Sequence, residues 1–493
     1  MKKTLLVIAL LAAHTITTPV FALDERPSNA ADQSALAVTI YNNDLALIKD
    51  ARKVRVNHGE NLLAWRDVSS RMQPETALLR SLDGKKLNLL EQNFDFDLLT
   101  PQKLLEKSVG ETVRVIRTQP ITGGEFLEYA TVLSANNGVV LQFKDRVESG
   151  IPGRLGFTSV PQTLRDRPTL SMLFSTEVTP TGLGNNSAFS NTPPVADYAL
   201  ELTYLTGGLT WKADYVAELS AAEDSIDLNG WVTLTNTSGT AYPNARLQLI
   251  AGEVNRTQPE RRAMPVMMKA MAMADSAPPM QEETLFEYHL YTLDRLTTLQ
   301  DNQTKQVALL SAQQVKTEKE FRFVGASWYY SGQHGDLGQK MKPSVFMEFS
   351  NKDGNLGIPL PKGVVRVYKK DSTGRAQFIG EDRIDHTAAG ETVKLKLGEA
   401  FDVTADKKQS DYQKISAGFN ARGGVIESTY VMEIRNAKSD NITVKVIEPM
   451  SGDWQIVQES HPHEKEAART AVWRIPVAAK DKTTLTWRVR SKY

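Results

Sequence analysis

The 493-residue chain contains no cysteine. Disulfides, thiolate nucleophiles and cysteine-bound zinc are therefore excluded. So is lipid anchoring through an acylated cysteine behind a leader. An excess charge of either sign is also lacking, since 58 Lys and Arg balance 58 Asp and Glu. That balance gives no reason to expect nucleic acid as a partner. Beyond the N-terminal region no apolar run approaches the roughly 20 residues that a membrane-spanning helix needs. No GxSxG, HExxH or phosphate-cradling glycine loop occurs, so the commonest hydrolase and nucleotide signatures are missing. A chain of this length without cross-links depends on apolar burial and is long enough for about three domains.

What is present begins with a leader. Lys2 and Lys3 form a basic start, residues 5–13 an apolar stretch, and Val20-Phe21-Ala22 a small-residue cleavage site. The apolar stretch is too short to span a bilayer, so the expectation is export and cleavage near Ala22, leaving Leu23 first. Removal of Lys2 and Lys3 takes the formal net charge from 0 to −2. The protein is expected to be periplasmic or secreted.

The rest reads as strands. In the segment around LELTYLTGGLTWKADYVAEL, apolar Leu200, Leu202 and Tyr204 alternate with polar residues, the period of half-buried strands. Trp231, Val232, Leu234, Leu247 and Leu249 continue that pattern, and Gly207-Gly208 is expected to close a hairpin. The predicted fold is all-β: several small β domains, including a barrel-like module and immunoglobulin-like sandwiches, with one or two short helices. After the leader (1–22), the expected divisions are an N-terminal β domain over 23–105 and a small barrel of the SH3 or Sm kind over 106–160. A linker over 161–197, a central β-sandwich over 198–420 and an immunoglobulin-like domain over 421–493 follow. Thr100-Pro101 opens the one clear helix, with an N-cap and a proline at the first helical position. In the last segment Trp454, Trp473 and Trp487 are the expected core aromatics.

A Met-rich insert over 259–283 interrupts the central domain, holding six of the thirteen Met and four Pro. Such composition argues for a segment without packed structure. Strands before it and after it should therefore share sheets and one core. The stretch 288–323 fits both a helix spacing and a hairpin around Asp301-Asn302; strands are expected.

Three stretches carry a family resemblance. They are YLTGGLTWKADYVAEL with NTSGTAYPNARLQLIAGEVN, FEYHLYTLDRLTTLQDNQTKQVALL, and IPLPKGVVRVYKKDSTGRAQFIGEDRIDHTAAGETVKLKLGEAFDV. Across residues 198–493 the chain resembles the uncharacterised domain at the C-terminal end of bacterial mucoidy inhibitor A proteins. The resemblance implies a β-rich fold and an envelope role, and it carries no catalytic residue. Those proteins usually have a coiled-coil segment upstream, whereas residues 23–197 show no heptads.

Candidate chemistry is sparse. Asp95 and Asp97 stand two apart, on one face of a strand, and paired carboxylates could act as acid and base on a glycoside. Two exposed positions on an edge strand account for them equally, and that reading is preferred. His461 and His463, beside Glu464 and Glu466, form the one local cluster of metal-capable side chains, but a pair lacks the further ligands a site needs. Met264, Met267, Met268, Met271 and Met273 offer thioethers, soft ligands that select Cu(I); a tolerant linker explains them as well. Asn351-Lys352-Asp353-Gly354-Asn355 resembles the start of a calcium loop without its later glutamate, and reads as a turn. The basic residues Arg114, Arg117, Lys144 and Arg146 are offset by neighbouring acids. No catalytic residue, cofactor or resident metal is assigned. The expectation is an exported, non-enzymatic envelope protein that binds or scaffolds an envelope protein or glycan. The alternatives are a glycan-directed hydrolase using Asp95 and Asp97, and copper handling through the Met-rich insert.

Overall fold

The computed structural model describes residues 23–136, 138–161, 163–177, 195–252, 254–255, 280–352, 356–416 and 424–492. The leader, residues 178–194 of the expected linker, and Met264, Met267, Met268, Met271 and Met273 lie outside the described residues, whereas the end of the insert is structured: Met280 is buried and residues 281–283 open a strand. The described chain is built almost wholly of strands. Its described residues divide into two compact units, one drawn from residues 23–37, 47–207 and 238–240, the other from 38–46, 208–237 and 241–492. No helix among the described residues is long and apolar enough to cross a membrane.

The first half of the chain runs through β1 (Glu25–Ser28), β2 (Gln33–Tyr41), β3 (Leu45–Asn57), β4 (Gly59–Arg66), β5 (Met72–Ser81) and β6 (Leu87–Asp95). Helix α1 (Pro101–Lys107) follows, and the Thr100 hydroxyl caps it by accepting from the Lys103 N–H at 3.1 Å. Next come β7 (Thr112–Thr118), β8 (Glu125–Ser134), β9 (Val140–Gln142), β10 (Val147–Ser149) and β11 (Arg154–Gly156). β12 (Thr169–Thr176) and β13 (Val195–Thr206) complete this half.

β7 to β11 fall where a small barrel of the SH3 or Sm kind is expected, but they do not close into one. They form an open sheet of order β10-β9-β8-β7-β11 over a core of Leu105, Val113, Val115, Val132, Leu141 and Phe143. Its outer strands are three residues each, too short to supply a ladder that would close it. The linker over 161–197 needs correcting, because β12 lies within it. TLSMLFST buries residues on both faces as it sits between β4 and β6, and a central strand of that kind does not alternate.

The second half holds β14 (Leu209–Leu219), β15 (Ser225–Asn236), β16 (Tyr242–Ala251), β17 (Gln281–Leu285), β18 (Tyr288–Thr292), β19 (Thr297–Leu299) and β20 (Gln303–Val324). β21 (Asp336–Met341), β22 (Ser344–Ser350), β23 (Gly363–Lys370), β24 (Ala376–Ile384), β25 (Thr392–Glu399) and β26 (Val403–Ser416) follow. The last are β27 (Val425–Asn436), β28 (Ile442–Pro449), β29 (Asp453–Glu459), β30 (His463–Ala467), β31 (Thr470–Val477) and β32 (Lys482–Lys492).

Gly207-Gly208 does not close a hairpin. β13 joins the sheet of β3 and β5, whereas β14 pairs with β15 and β23. The turn's own N–H groups are taken elsewhere: Gly207 donates to the Arg71 carbonyl, and Gly208, at φ +84°, to the Asp44 carboxylate at 2.7 Å. The strands flanking the Met-rich insert do share sheets, as β15 pairs with β20 and β16 with β18.

The expected boundary at 420/421 is crossed by a ladder. β26 pairs with β27 along its length, from Val403↔Asn436 to Ser416↔Val425. The sheet β21-β26-β27-β32-β29 shares one core with β28, β31 and the end of β20, in which Trp473 and Trp487 are fully buried with ring centroids 5.2 Å apart. Trp454 sits at its edge.

Candidate functional site

Seven strands of the second unit follow one another around a ring, in the order β24-β23-β14-β15-β20-β22-β25. All but β24 bury residues along one face, among them Tyr215, Leu228, Val315, Met347, Val367 and Leu395. β25 then returns alongside β24 without pairing to it. The N–H of Lys396 on β25 is satisfied by the Asp382 carboxylate of β24, at 2.7 Å, in place of a backbone carbonyl. Both strands carry a bulge here. The β23–β24 register slips at Ile379 and the β22–β25 register at Leu397, and bulges disrupt a ladder while re-aiming side chains. Gly380, at φ +153°, makes the close approach possible, because a Cβ there would lie 2.4 Å from the Leu397 carbonyl oxygen.

Where this seam widens, a half-open cleft of about 240 Å³ forms. Leu219, Phe321, Phe346, Ile379, Leu397 and Phe401 give it apolar walls; both bulged residues are among them. Phe401, in its wall, is 81% exposed. Such aromatic exposure beside a concavity is the kind of surface that marks an interaction site. Charged side chains also line it: the paired Glu223 and Lys319, and Glu399, Asp402 and Lys438. The Ala437 N–H donates to the Asp402 carbonyl, which holds the last three in one stretch of wall. Lys342 lies 5.0 Å from the Phe401 ring and Arg322 4.1 Å from that of Phe346.

Burial alone would raise the Glu223 carboxyl. The hydrogen bonds and charges of Lys319 and Lys369 outweigh it and hold the group down at about 2. A carboxyl depressed in the folded state contributes stability that is present above its unfolded pKa near 4.5 and is lost as pH falls toward 2. With the side chain 29% exposed, solvent screening reduces the contribution to roughly 1–2 kcal/mol. Glu223→Gln should therefore lower stability by that amount at pH 7 in denaturant titrations. The difference from the parent should shrink between pH 4.5 and pH 2. A difference that stays constant over that window would assign the effect to packing.

The residues singled out by sequence fall elsewhere. Asp95 ends β6, where Arg165 donates to it at 2.8 Å and also grips Glu25, with the Ser171 hydroxyl between. Asp97 lies beyond the strand and pairs with Lys107 at 3.0 Å and Lys103 at 3.8 Å, on α1. The two carboxylates thus face different cations. β6 is an edge strand, as expected, but both carboxylates are half-buried. His463 opens β30, its Nδ1 2.9 Å from the Glu459 carboxylate that also accepts from the Trp473 indole. His461 stays in the preceding turn against the Ser460 hydroxyl. No group of three metal-capable acids or histidines converges among the described residues. Arg117 and Arg146 both pair with Glu128 and Glu148. Residues 353–355 of the calcium-like turn lie outside the described residues.

The cleft residues themselves were not singled out by sequence. Their signal is the pair of isolated glycines, Gly380 and Gly398, inside strand text, which marks bulges.

Residues 200–493 match the model of a family described as a domain of unknown function, DUF4139. Among curated proteins none matches the chain.

Proposed function

Because this chain belongs to the DUF4139 family, whose biochemical role is unknown, we propose that it is an exported, non-enzymatic protein of the cell envelope. It acts by binding, and the seam cleft is where it binds. The single observation that carries this reading is the cleft: an apolar concavity with the exposed ring of Phe401 in its wall, set among paired strands. The leader motif around Lys2, Lys3 and Ala22 supports export. The resemblance of the three stretches to the C-terminal domain of mucoidy inhibitor A proteins supports an envelope role.

Two measurements test it together. Protein recovered from the envelope fraction should begin within a residue or two of Leu23, and recovery of the intact Met1 form from the cytoplasm would overturn export. A photo-cross-linking amino acid in place of Phe401 should give a discrete adduct in cells. The same replacement at Phe286, exposed to 82% but away from the cleft lining, should not. Equal labelling from the two positions would rule out the cleft.

A further inference from the structure

We propose that the cleft's ligand is an extended peptide, which lies along the open seam and inserts one bulky apolar side chain. This rests on the reading of the cleft as the binding site and specifies what enters it.

Three observations converge. The first is size. About 240 Å³ falls below the roughly 300–1,000 Å³ of pockets that enclose a whole small molecule. It suits one inserted side chain of a larger ligand. The second is the strand edge. β24 is the end strand of its sheet, and Ala376, Gln377, Phe378 and Ile379 are all exposed there. The contacts Gly380 to Leu397 and Asp382 to Lys396 run in opposite senses along the two strands. The strands approach closely at Gly380, and the cleft lies beyond it, lined by Ile379, Gly398 and Phe401. A free edge beside a side-chain pocket is the arrangement by which sheets take up a peptide as an added strand. The main chain supplies hydrogen bonds, and the pocket reads alternate side chains.

The third observation is charge. The lining carries both signs, Glu223, Glu399 and Asp402 with Lys319 and Lys438, and Lys342 lies 5.0 Å from the Phe401 ring. A peptide with both an acidic and a basic residue flanking its apolar anchor can pair with such a rim. Strand alternation places such residues two positions from the anchor on the same face.

The test uses the full processed chain. The probe is a capped nine-residue peptide of alternating threonine and valine. Phenylalanine stands at its centre, with lysine two positions before it and glutamate two positions after. Fluorescence anisotropy should show binding that weakens about tenfold to a hundredfold when the central phenylalanine becomes serine, the factor that burying one aromatic side chain carries. Ile379→Lys, at a position already 38% exposed, should cause a similar loss with an unchanged melting temperature. Phe401→Ala should weaken binding in the same direction. Equal affinity for both peptides, or no binding of either, would overturn the proposal. In cells, the adduct formed from position 401 should collapse on protease treatment of its ligand portion. A protease-resistant adduct would mean a glycan or lipid ligand, which removes the peptide while leaving the cleft as a binding site. Absence of any adduct would remove both.

Discussion

Lys407→Met should destabilise the second unit by about 3–5 kcal/mol, the range for removing one partner of a buried ion pair. Lys407 on β26 and Glu448 on β28 are paired at 2.7 Å with both side chains 2% exposed. Glu448 also accepts from the Tyr330 hydroxyl, at 2.7 Å. The ammonium sits among aromatic rings, 4.2 Å from that of Tyr329 and 5.1 Å from that of Trp487. Burial drives the Lys407 pKa down, and the charge and hydrogen bond of Glu448 oppose that fall. Removing the cation leaves a carboxylate in the core between two sheets with only a phenol to solvate it. Replacing both residues with apolar ones should recover most of the loss, since the desolvation of two charges is then no longer incurred. Tyr330 would still lose its hydrogen bond to Glu448, so recovery should stop about 1–3 kcal/mol short. Equilibrium unfolding followed by Trp fluorescence of the single and double variants measures both effects. A single variant within about 0.5 kcal/mol of the parent would show that the pair is solvated in solution.

Asp50→Ala should cost the first unit a similar amount, about 3–5 kcal/mol. Arg52 is 1% exposed and Asp50 5%. The Asp50 carboxylate accepts from Arg52 Nε at 2.9 Å and Nη2 at 2.7 Å, from the Trp65 indole at 2.9 Å, and from Gln33 at 2.8 Å. Arg52 donates its remaining hydrogen bonds to the Ser28 and Arg66 carbonyls, both at 2.8 Å, and lies 4.5 Å from the Trp65 ring centroid. One substitution therefore strands a buried guanidinium and a buried indole N–H together. Asp50→Ala with Arg52→Leu should be markedly more stable than Asp50→Ala alone. If the double variant were the worse of the two, the guanidinium's carbonyl contacts would outweigh its lost counter-ion.

Neither buried pair was legible in the sequence. Asp50 and Arg52 stand two apart in a strand, and that spacing alone fits a solvated face as well as a buried one. Lys407 and Glu448 are separated by 41 residues, and no local pattern connects them. The cleft was half legible. Gly380 and Gly398 interrupt strand text and signal bulges, but nothing in either segment says that the two bulges meet. Asp95 and Asp97 illustrate the reverse case. Their spacing suggested a shared face, yet the chain leaves the strand after Asp95, and separate cations hold them.

The sequence by itself determined the all-β class, the positions of most strands and turns, the capped helix at Thr100, and the dependence on burial without cross-links. These are local properties: side-chain alternation, turn residues and caps act within a few positions of one another. Only the tertiary structure decided which strands pair. Gly207-Gly208 was read as a hairpin, yet the strands on either side enter different sheets. β26 and β27, expected in separate domains, share a ladder. Alternation encodes which face of a strand is buried, and any strand with a matching face can satisfy it. The choice among those partners is made by hydrogen bonds and packing between distant segments. The same non-local pairing leaves β24 and β25 side by side without a ladder, and so creates the cleft.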